Sequence, residues 1–234
     1  MQRKDQIVKL EDVSKEYRVG RIAVPAIRGI TLSIDAGAFL SIAGPSGSGK
    51  TTLLNLIGCI DRPTAGSVYL EGTEISALPS SRLAEIRSSS LGFIFQTFNL
   101  VPVLSALENV EFPLVISGTM GGRERRRRAQ EMLEEVGLAD LMGRRPNELS
   151  GGQQQRIAVA RALVKQPAIV LADEPTANLD SGTGGSILEL MREMNERRGT
   201  TFLFSTHDRM VMEYARRLIL LRDGRIERDD GEVS

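Results

Sequence analysis

The stretch that most restricts the fold is Gly44-Pro-Ser-Gly-Ser-Gly-Lys-Thr51. It fits the pattern GxxxxGK[ST] and lies between an apolar run, FLSIA, and a helix-like one, TTLLNLI. A strand that turns through glycines straight into a helix is the setting in which this pattern has chemical meaning. Glycines let consecutive backbone N–H groups turn inward around phosphate oxygens, and the helix N-terminus adds the positive end of its dipole. Gly44, Pro45, Ser46, Gly47, Ser48 and Gly49 therefore read as a phosphate cradle, continued into the helix by Thr52. Lys50 would reach the β- and γ-phosphates of a nucleotide, and Thr51 would offer a hydroxyl to Mg²⁺. A glycine-rich turn capped by a helix, with no ligand, is the plainer alternative.

A nucleotide held in this way needs a second element to hold the metal and orient water. IVLADE supplies a buried-type strand that ends in two carboxylates, Asp173 and Glu174. Asp173 is placed to support Mg²⁺, and Glu174 to act as the general base on the attacking water. Two adjacent acids also suit a helix cap or a turn, so the phosphate loop gives the pair its meaning. His207, the only histidine, ends a later apolar run, TTFLFSTH. A lone histidine is often structural, but one strand beyond the carboxylates it reaches the same edge of a parallel sheet, where ligands collect. Gln96 closes the apolar run LGFIFQ and suits both the metal and the water.

The remaining pattern frames these residues. The opening third alternates like strands and turns through IVKLEDVSKEYRV, IRGITLSIDAG and FLSIAG, and PTAGSVYLEG adds another turn and strand. SSRLAEIRSS reads as a short helix. Beyond Thr97 the character is helical: LSALENVEFPLVIS is expected to form a turn-initiated helix interrupted at Pro113. The next, RERRRRAQEMLEEVGLADLM, sets Ala129, Met132, Leu133 and Val136 on one face. QQQRIAVARALVKQ predicts a further amphipathic helix that starts inside LSGGQQQ. Afterwards come a strand at AIVLADEP, a helix over SILELMREMNERRG ending at Gly199, the strand TTFLFSTH, and a helix over MVMEYARR. A hairpin at Asp223-Gly224 closes the pattern. An α/β core at 1–96 and 165–234 with a helical segment at 97–164 is the organisation expected.

Charge and cysteine content exclude several classes. Among 234 residues there are 30 Lys and Arg against 30 Asp and Glu, so no global field recruits nucleic acid or anionic lipid. The run at Arg123 to Arg128 fits a nucleic-acid patch in isolation, but its helix and the acids of EMLEE favour a solvated face. Cys59 is the only cysteine, which leaves no internal disulfide and no cysteine-based zinc site. Its setting in LIGCI suits a small apolar filler. The opening MQRKDQIVKLED carries charges throughout and no apolar h-region, so no signal peptide is expected there, and runs such as AIVLA fall far short of the roughly 20 residues a spanning helix needs.

Taken together, the phosphate loop, Gln96, LSGGQ, IVLADE, Asn178-Leu179-Asp180 and His207 resemble, in order and spacing, the nucleotide-binding subunits of ABC (ATP-binding cassette) transporters. LSGGQ followed by QQRIAVARAL is the specific part, and the resemblance covers nearly the whole chain. It implies an α/β P-loop NTPase core of the RecA-like kind, with an N-terminal antiparallel β subdomain and an inserted α-helical signature subdomain. It further implies ATP and Mg²⁺, the ion held by Thr51, Gln96 and Asp173, with Glu174, His207 and Gln96 in catalysis. In this family two cassettes pack head to tail, so Ser150, Gly151, Gly152 and Gln153 would meet the nucleotide held by a second copy. Asp180 matches the acid of the loop that communicates across the dimer. Tyr17 matches the aromatic that stacks on adenine, although an edge-strand aromatic is the other reading.

The stretches LGFIFQTFNLVPVLSALENVEFPL and VLADEPTANLDS are most similar to the ATPases of macrolide exporters, lipoprotein-release systems and the cell-division FtsE type. That likeness implies a peripheral subunit at the cytoplasmic face of the inner (plasma) membrane, partnered by separate integral-membrane permease subunits and not by nucleic acid. A soluble ABC ATPase acting on nucleic acid or the ribosome is the alternative. Thr97 to Ser117 corresponds to the family's permease-facing groove, or else is plain core of the helical lobe.

Overall fold

A computed structural model describes residues 6–20 and 22–231. β1 (Gln6–Val19) and β2 (Ile22–Asp35) form a long antiparallel pair, and β3 (Phe39–Ala43) then leads through the glycine loop into α1 (Lys50–Ile57). β4 (Ala65–Leu70) and β5 (Thr73–Glu74) complete an antiparallel sheet of order β2-β1-β4-β5. Next come α2 (Ser80–Ser90), β6 (Leu91–Ile94), and three helices, α3 (Ala106–Ser117), α4 (Gly122–Glu135) and α5 (Gly151–Leu163). The chain returns through β7 (Ile169–Asp173), α6 (Ser181–Arg198), β8 (Thr201–Thr206) and α7 (Arg209–Tyr214). It closes with the hairpin of β9 (Arg217–Arg222) and β10 (Arg225–Asp229).

The second sheet has the order β10-β9-β3-β8-β7-β6, parallel throughout except for β10 at its edge. Its central strands are buried on both faces, which is why FLSIA, IVLAD and TFLFST read as unbroken apolar runs. Alternation along them feeds two cores. Phe39, Val170, Ala172, Phe202 and Phe204 point to the face covered by the helices α3 to α6. Leu40, Ile42, Ile169, Leu171 and Leu203 point to the face packed on α1 and the antiparallel sheet. This is the α/β architecture expected, with an antiparallel sheet built from the N-terminal strands.

Several boundaries differ from those expected: α4, read through Met142, stops at Glu135, where Gly137 takes φ +76° and ends the helix. α3 runs through Pro113 without a break: a Ser105–Glu108 capping box starts it, and Leu107, Val110 and Leu114 are buried beneath it. Packing of that face outweighs the roughly 3 kcal/mol that an interior proline costs. α6 begins at Ser181 rather than Ser186, because Asp180 caps it by accepting the Thr183 amide at 3.0 Å. The poor helix propensity of Gly182, Gly184 and Gly185 hides that start, yet a Cβ at Gly184 would lie 2.8 Å from the Met210 methyl. α7 stops at Tyr214, where Arg217 is already drawn into β9 beside β3.

Ala129, Met132, Leu133 and Val136 are all buried, as their spacing predicts. On the opposite face of α4, Arg127 bridges Glu124 and Glu131, and Arg128 also bridges Glu124, whereas Arg125 turns toward α3 and pairs with Glu111 at 3.5 Å, so the arginine run is paired within the protein. Cys59 is buried, and burial pushes its thiol up to about 11. No described helix is long and apolar enough to cross a membrane.

Candidate nucleotide site

Parallel strands all deliver their C-terminal ends to one edge of the sheet, and the chemistry-bearing residues gather there. Pairing sets Ala43 of β3 against Thr206 of β8, and Asp173 of β7 against Ser205. The glycine loop leaves β3 at this edge. Gly49 takes φ +106°, and a Cβ there would sit 2.6 Å from the Ala26 carbonyl oxygen of β2. Glycine thus lets the loop press against β2 before it enters α1. No side chain caps α1, so its first-turn amides are left for a ligand.

A cavity of about 550 Å³ opens over the loop. Pro45, Ser46, Gly47, Gly49, Lys50, Thr51 and Thr52 line it from one side, Gln96, Asp173, Glu174 and His207 from the other, and Ala26 closes the wall. Two loop residues lie behind the lining. A Cβ at Gly44 would be 2.1 Å from the Leu221 carbonyl oxygen, and Ser48 is buried with its own carbonyl accepting the Gly224 amide at 3.0 Å. The β9–β10 hairpin therefore braces the back of the loop.

Within the cavity the Lys50 ammonium donates to the Gly44 and Pro45 carbonyls at 2.8 and 3.0 Å, holding it against the loop crest. The Thr51 hydroxyl lies 3.2 Å from Asp173 Oδ2 and 3.4 Å from Oδ1, tying the start of α1 to the end of β7. Glu174 takes φ +48°, and its amide donates to the Ser205 carbonyl at 2.9 Å. Its carboxylate accepts the Thr206 hydroxyl at 3.0 Å through Oε2 and meets His207 Nδ1 at 2.5 Å through Oε1. The Asn178 side chain donates to the Gln96 carbonyl at 2.7 Å, which links the stretch after β7 to the stretch after β6.

Thr206 and Ala26 were not legible as site residues. Thr206 reads as one more strand position in FSTH, and Ala26 reaches the cavity only because β2 folds over the loop. The other anticipated residues stand outside the lining. Ser150 caps α5 in a reciprocal box with Gln153, its hydroxyl accepting the Gln153 amide at 3.3 Å and its amide donating to Gln153 Oε1 at 2.9 Å. Gly152 packs so closely on the start of α6 that a Cβ would lie 2.5 Å from Thr183 Cγ2, and one at Gly151 would be 3.3 Å from Leu179. Asp180 sits at the same junction, and hydrogen bonds with the Thr183 side chain and amide hold its carboxyl below the ordinary value. Tyr17 borders the cavity from β1. Burial pushes its phenol up, while a hydrogen bond with the cavity residue Thr52 opposes the rise and one with Asp61 adds to it.

A sequence model of ABC transporters matches residues 27–177, from β2 past the second carboxylate. The chain belongs to the ABC transporter family. It is an ATP-binding cassette with ATPase chemistry. An uncharacterized ABC transporter ATP-binding protein of Thermotoga maritima is 50% identical, over 95% of this chain and 94% of that one. The macrolide export ATP-binding/permease protein MacB of Syntrophobacter fumaroxidans is 45% identical over 97% of this chain, which spans 32% of MacB. Among solved structures, the cassette MJ0796 of Methanocaldococcus jannaschii is 48% identical, described as a dimeric post-hydrolysis state bound to ADP and Pi. It superposes with a TM-score of 0.87, covering 95% of this cassette and 97% of that chain.

Proposed function

We propose that this cassette works as a head-to-tail homodimer with two shared ATP sites and drives a separate membrane permease. The observation that carries the dimer is the split between the cavity and the signature. The cavity holds the phosphate loop, Asp173, Glu174 and His207, whereas Ser150 and the N-terminus of α5 contribute nothing to its wall. A helix N-terminus with two glycines is an anion site, and a second copy would bring it over the γ-phosphate. The dimeric, ADP- and Pi-bound MJ0796 cassette supports this arrangement.

In each site Gly47, Gly49 and the first turn of α1 would hold the phosphates, with Lys50 turning from its loop carbonyls to the β- and γ-oxygens. The oxygen donors Thr51, Asp173 and Gln96 fit a small hard cation such as Mg²⁺, since a hydroxyl and a carboxylate already meet at 3.2 Å. Bound there, Mg²⁺ would neutralise charge between the terminal phosphates. Glu174 would orient the attacking water and accept its proton, with Thr206 and His207 fixing the carboxylate. Hydrolysis breaks the bond between the β- and γ-phosphates, and once Pi has left, the charge that Ser150, Gly151 and Gly152 would grip is gone and the halves part; ATP acts as a two-state switch.

The identity shared with MacB supports a permease of the macrolide-exporter kind, the cassette lying peripherally at the cytoplasmic face of the membrane. The helical segment 97–164 then forms the lobe that carries the signature and faces the permease.

Mixing chains tests the shared site. Ser150→Arg and Lys50→Ala chains are each expected to be inactive, while a heterodimer regains one intact site and a fraction of the ATPase rate. A mixture as inactive as its parents counts against the shared site. Isolation with an integral-membrane protein from detergent extracts tests the permease; isolation with nucleic acid or ribosomes instead would favour the soluble alternative.

A further inference from the structure

After α1 the chain turns back toward β1 through Cys59, Ile60 and Asp61, and Asp61 becomes a junction. Its Oδ2 accepts the Tyr17 hydroxyl at 2.9 Å. Its Oδ1 accepts the Lys15 ammonium at 2.6 Å and the Arg62 amide at 2.7 Å. Lys15 and Tyr17, two residues apart on β1, both reach this carboxylate across a register shift in the β1–β2 pairing, and the ammonium stands 5.0 Å from the centre of the Tyr17 ring. Lys15 also donates to the Arg62 carbonyl at 2.8 Å, which leaves the ammonium little freedom. Burial would raise the Asp61 carboxyl, but hydrogen bonds from Lys15, the Arg62 amide and Tyr17 together hold it below the ordinary value. The carboxylate therefore stays ionised at neutral pH. Tyr17 itself remains 38% exposed, beside the cavity residue Thr52.

We propose that Asp61 is a positioning residue for nucleotide binding: with Lys15 it locks the Tyr17 ring beside the phosphate loop, ready to receive the base of ATP. The inference rests on the reading of Tyr17 as the base-stacking aromatic. A tyrosine on a solvent-facing strand would otherwise be ordered only when the nucleotide arrives. Fixing one rotamer-rich side chain in advance is worth roughly 2- to 10-fold in affinity. Asp61 touches neither phosphate nor metal in this scheme, so its influence is confined to the base end of the ligand.

Calorimetric affinities for ATP and for inorganic tripolyphosphate, which lacks a base, separate the outcomes. Asp61→Asn is expected to weaken ATP about 2- to 10-fold, leave tripolyphosphate binding unchanged and preserve kcat at saturating ATP. Tyr17→Phe, which keeps the ring and removes its anchor, is expected to match it, with the double variant no weaker than either single one. If Asp61→Asn does not fold, Tyr17→Phe alone carries the test, and wild-type ATP affinity there overturns the proposal. Equal loss for ATP and tripolyphosphate in either variant also overturns it, because the effect would then lie in the phosphate loop. Tyr17→Ala checks the premise: if it binds ATP as tightly as wild type, the stacking role falls first. A weakened Tyr17→Ala beside an unaffected Asp61→Asn removes Asp61 alone.

Discussion

Glu174 Oε1 and His207 Nδ1 lie 2.5 Å apart, and the Thr206 hydroxyl holds the other carboxylate oxygen at 3.0 Å. The histidine is the exposed partner, its side chain 70% accessible against 14% for the glutamate. The carboxylate is thus aimed from the protein interior toward the cavity mouth, with each oxygen steered by a separate side chain.

Replacing the carboxylate should stop chemistry without removing the nucleotide. Glu174→Gln is expected to slow ATP hydrolysis by about 10²- to 10⁴-fold, the scale of lost general-base help. ATP-bound dimers should accumulate and elute early in size-exclusion chromatography. Wild-type turnover in this variant would remove Glu174 from the role assigned to it.

Thr206 tests the steering separately. Its hydroxyl donates to Glu174 and also accepts the Asp208 amide at 2.9 Å. Thr206→Val leaves that amide without its partner, so about 1–3 kcal/mol of stability should be lost. kcat should fall further than KM rises, since the carboxylate and not the phosphate cradle is disturbed. A variant with unchanged kcat would show that His207 alone suffices to aim Glu174.

The contact between Gly152 and Thr183 can be probed by compensation. Gly152→Ala places a methyl 2.5 Å from Thr183 Cγ2, so α5 or α6 must shift, at a cost of about 1–3 kcal/mol. Thr183→Ser removes the opposing methyl and keeps the amide that Asp180 caps. The double variant should recover most of the loss in chemical denaturation; failure to recover would mean that the glycine is needed for something other than space.

Lys165 gives a pH dependence with a definite sign. Burial lowers its amine from 10.5 to about 8, while it donates to the Arg87 and Leu91 carbonyls at 3.1 Å. Between these two values the unfolded chain binds a proton that the folded chain has released, so this residue makes stability rise with pH across that window. A neutral amine still has two N–H groups for the two carbonyls. Denaturant unfolding at pH 7.5 and 9.5 should show this rise in the wild type relative to Lys165→Met; parallel behaviour of the two would refute it.

Much of the fold was legible because its signals are local. Buried strands announce themselves as apolar runs, α4 by its 3.6-residue period, the β9–β10 hairpin by Asp223-Gly224. Boundaries failed where tertiary packing overrode propensity: Pro113 stays helical above a buried face, and the glycines after Asp180 form the first turn of α6 because α5 and α7 crowd it. Covalent order alone made the glycine loop and the paired acids legible as contiguous strings, and made LSGGQ legible through its resemblance to the ABC family. Only the folded chain decided that Thr51 meets Asp173, that Thr206 holds Glu174, and that Ser150 stands outside the wall of the cavity that the glycine loop lines. Those relationships join residues separated by dozens of positions, and they depend on strand order and on side chains packing in three dimensions, which no local pattern encodes.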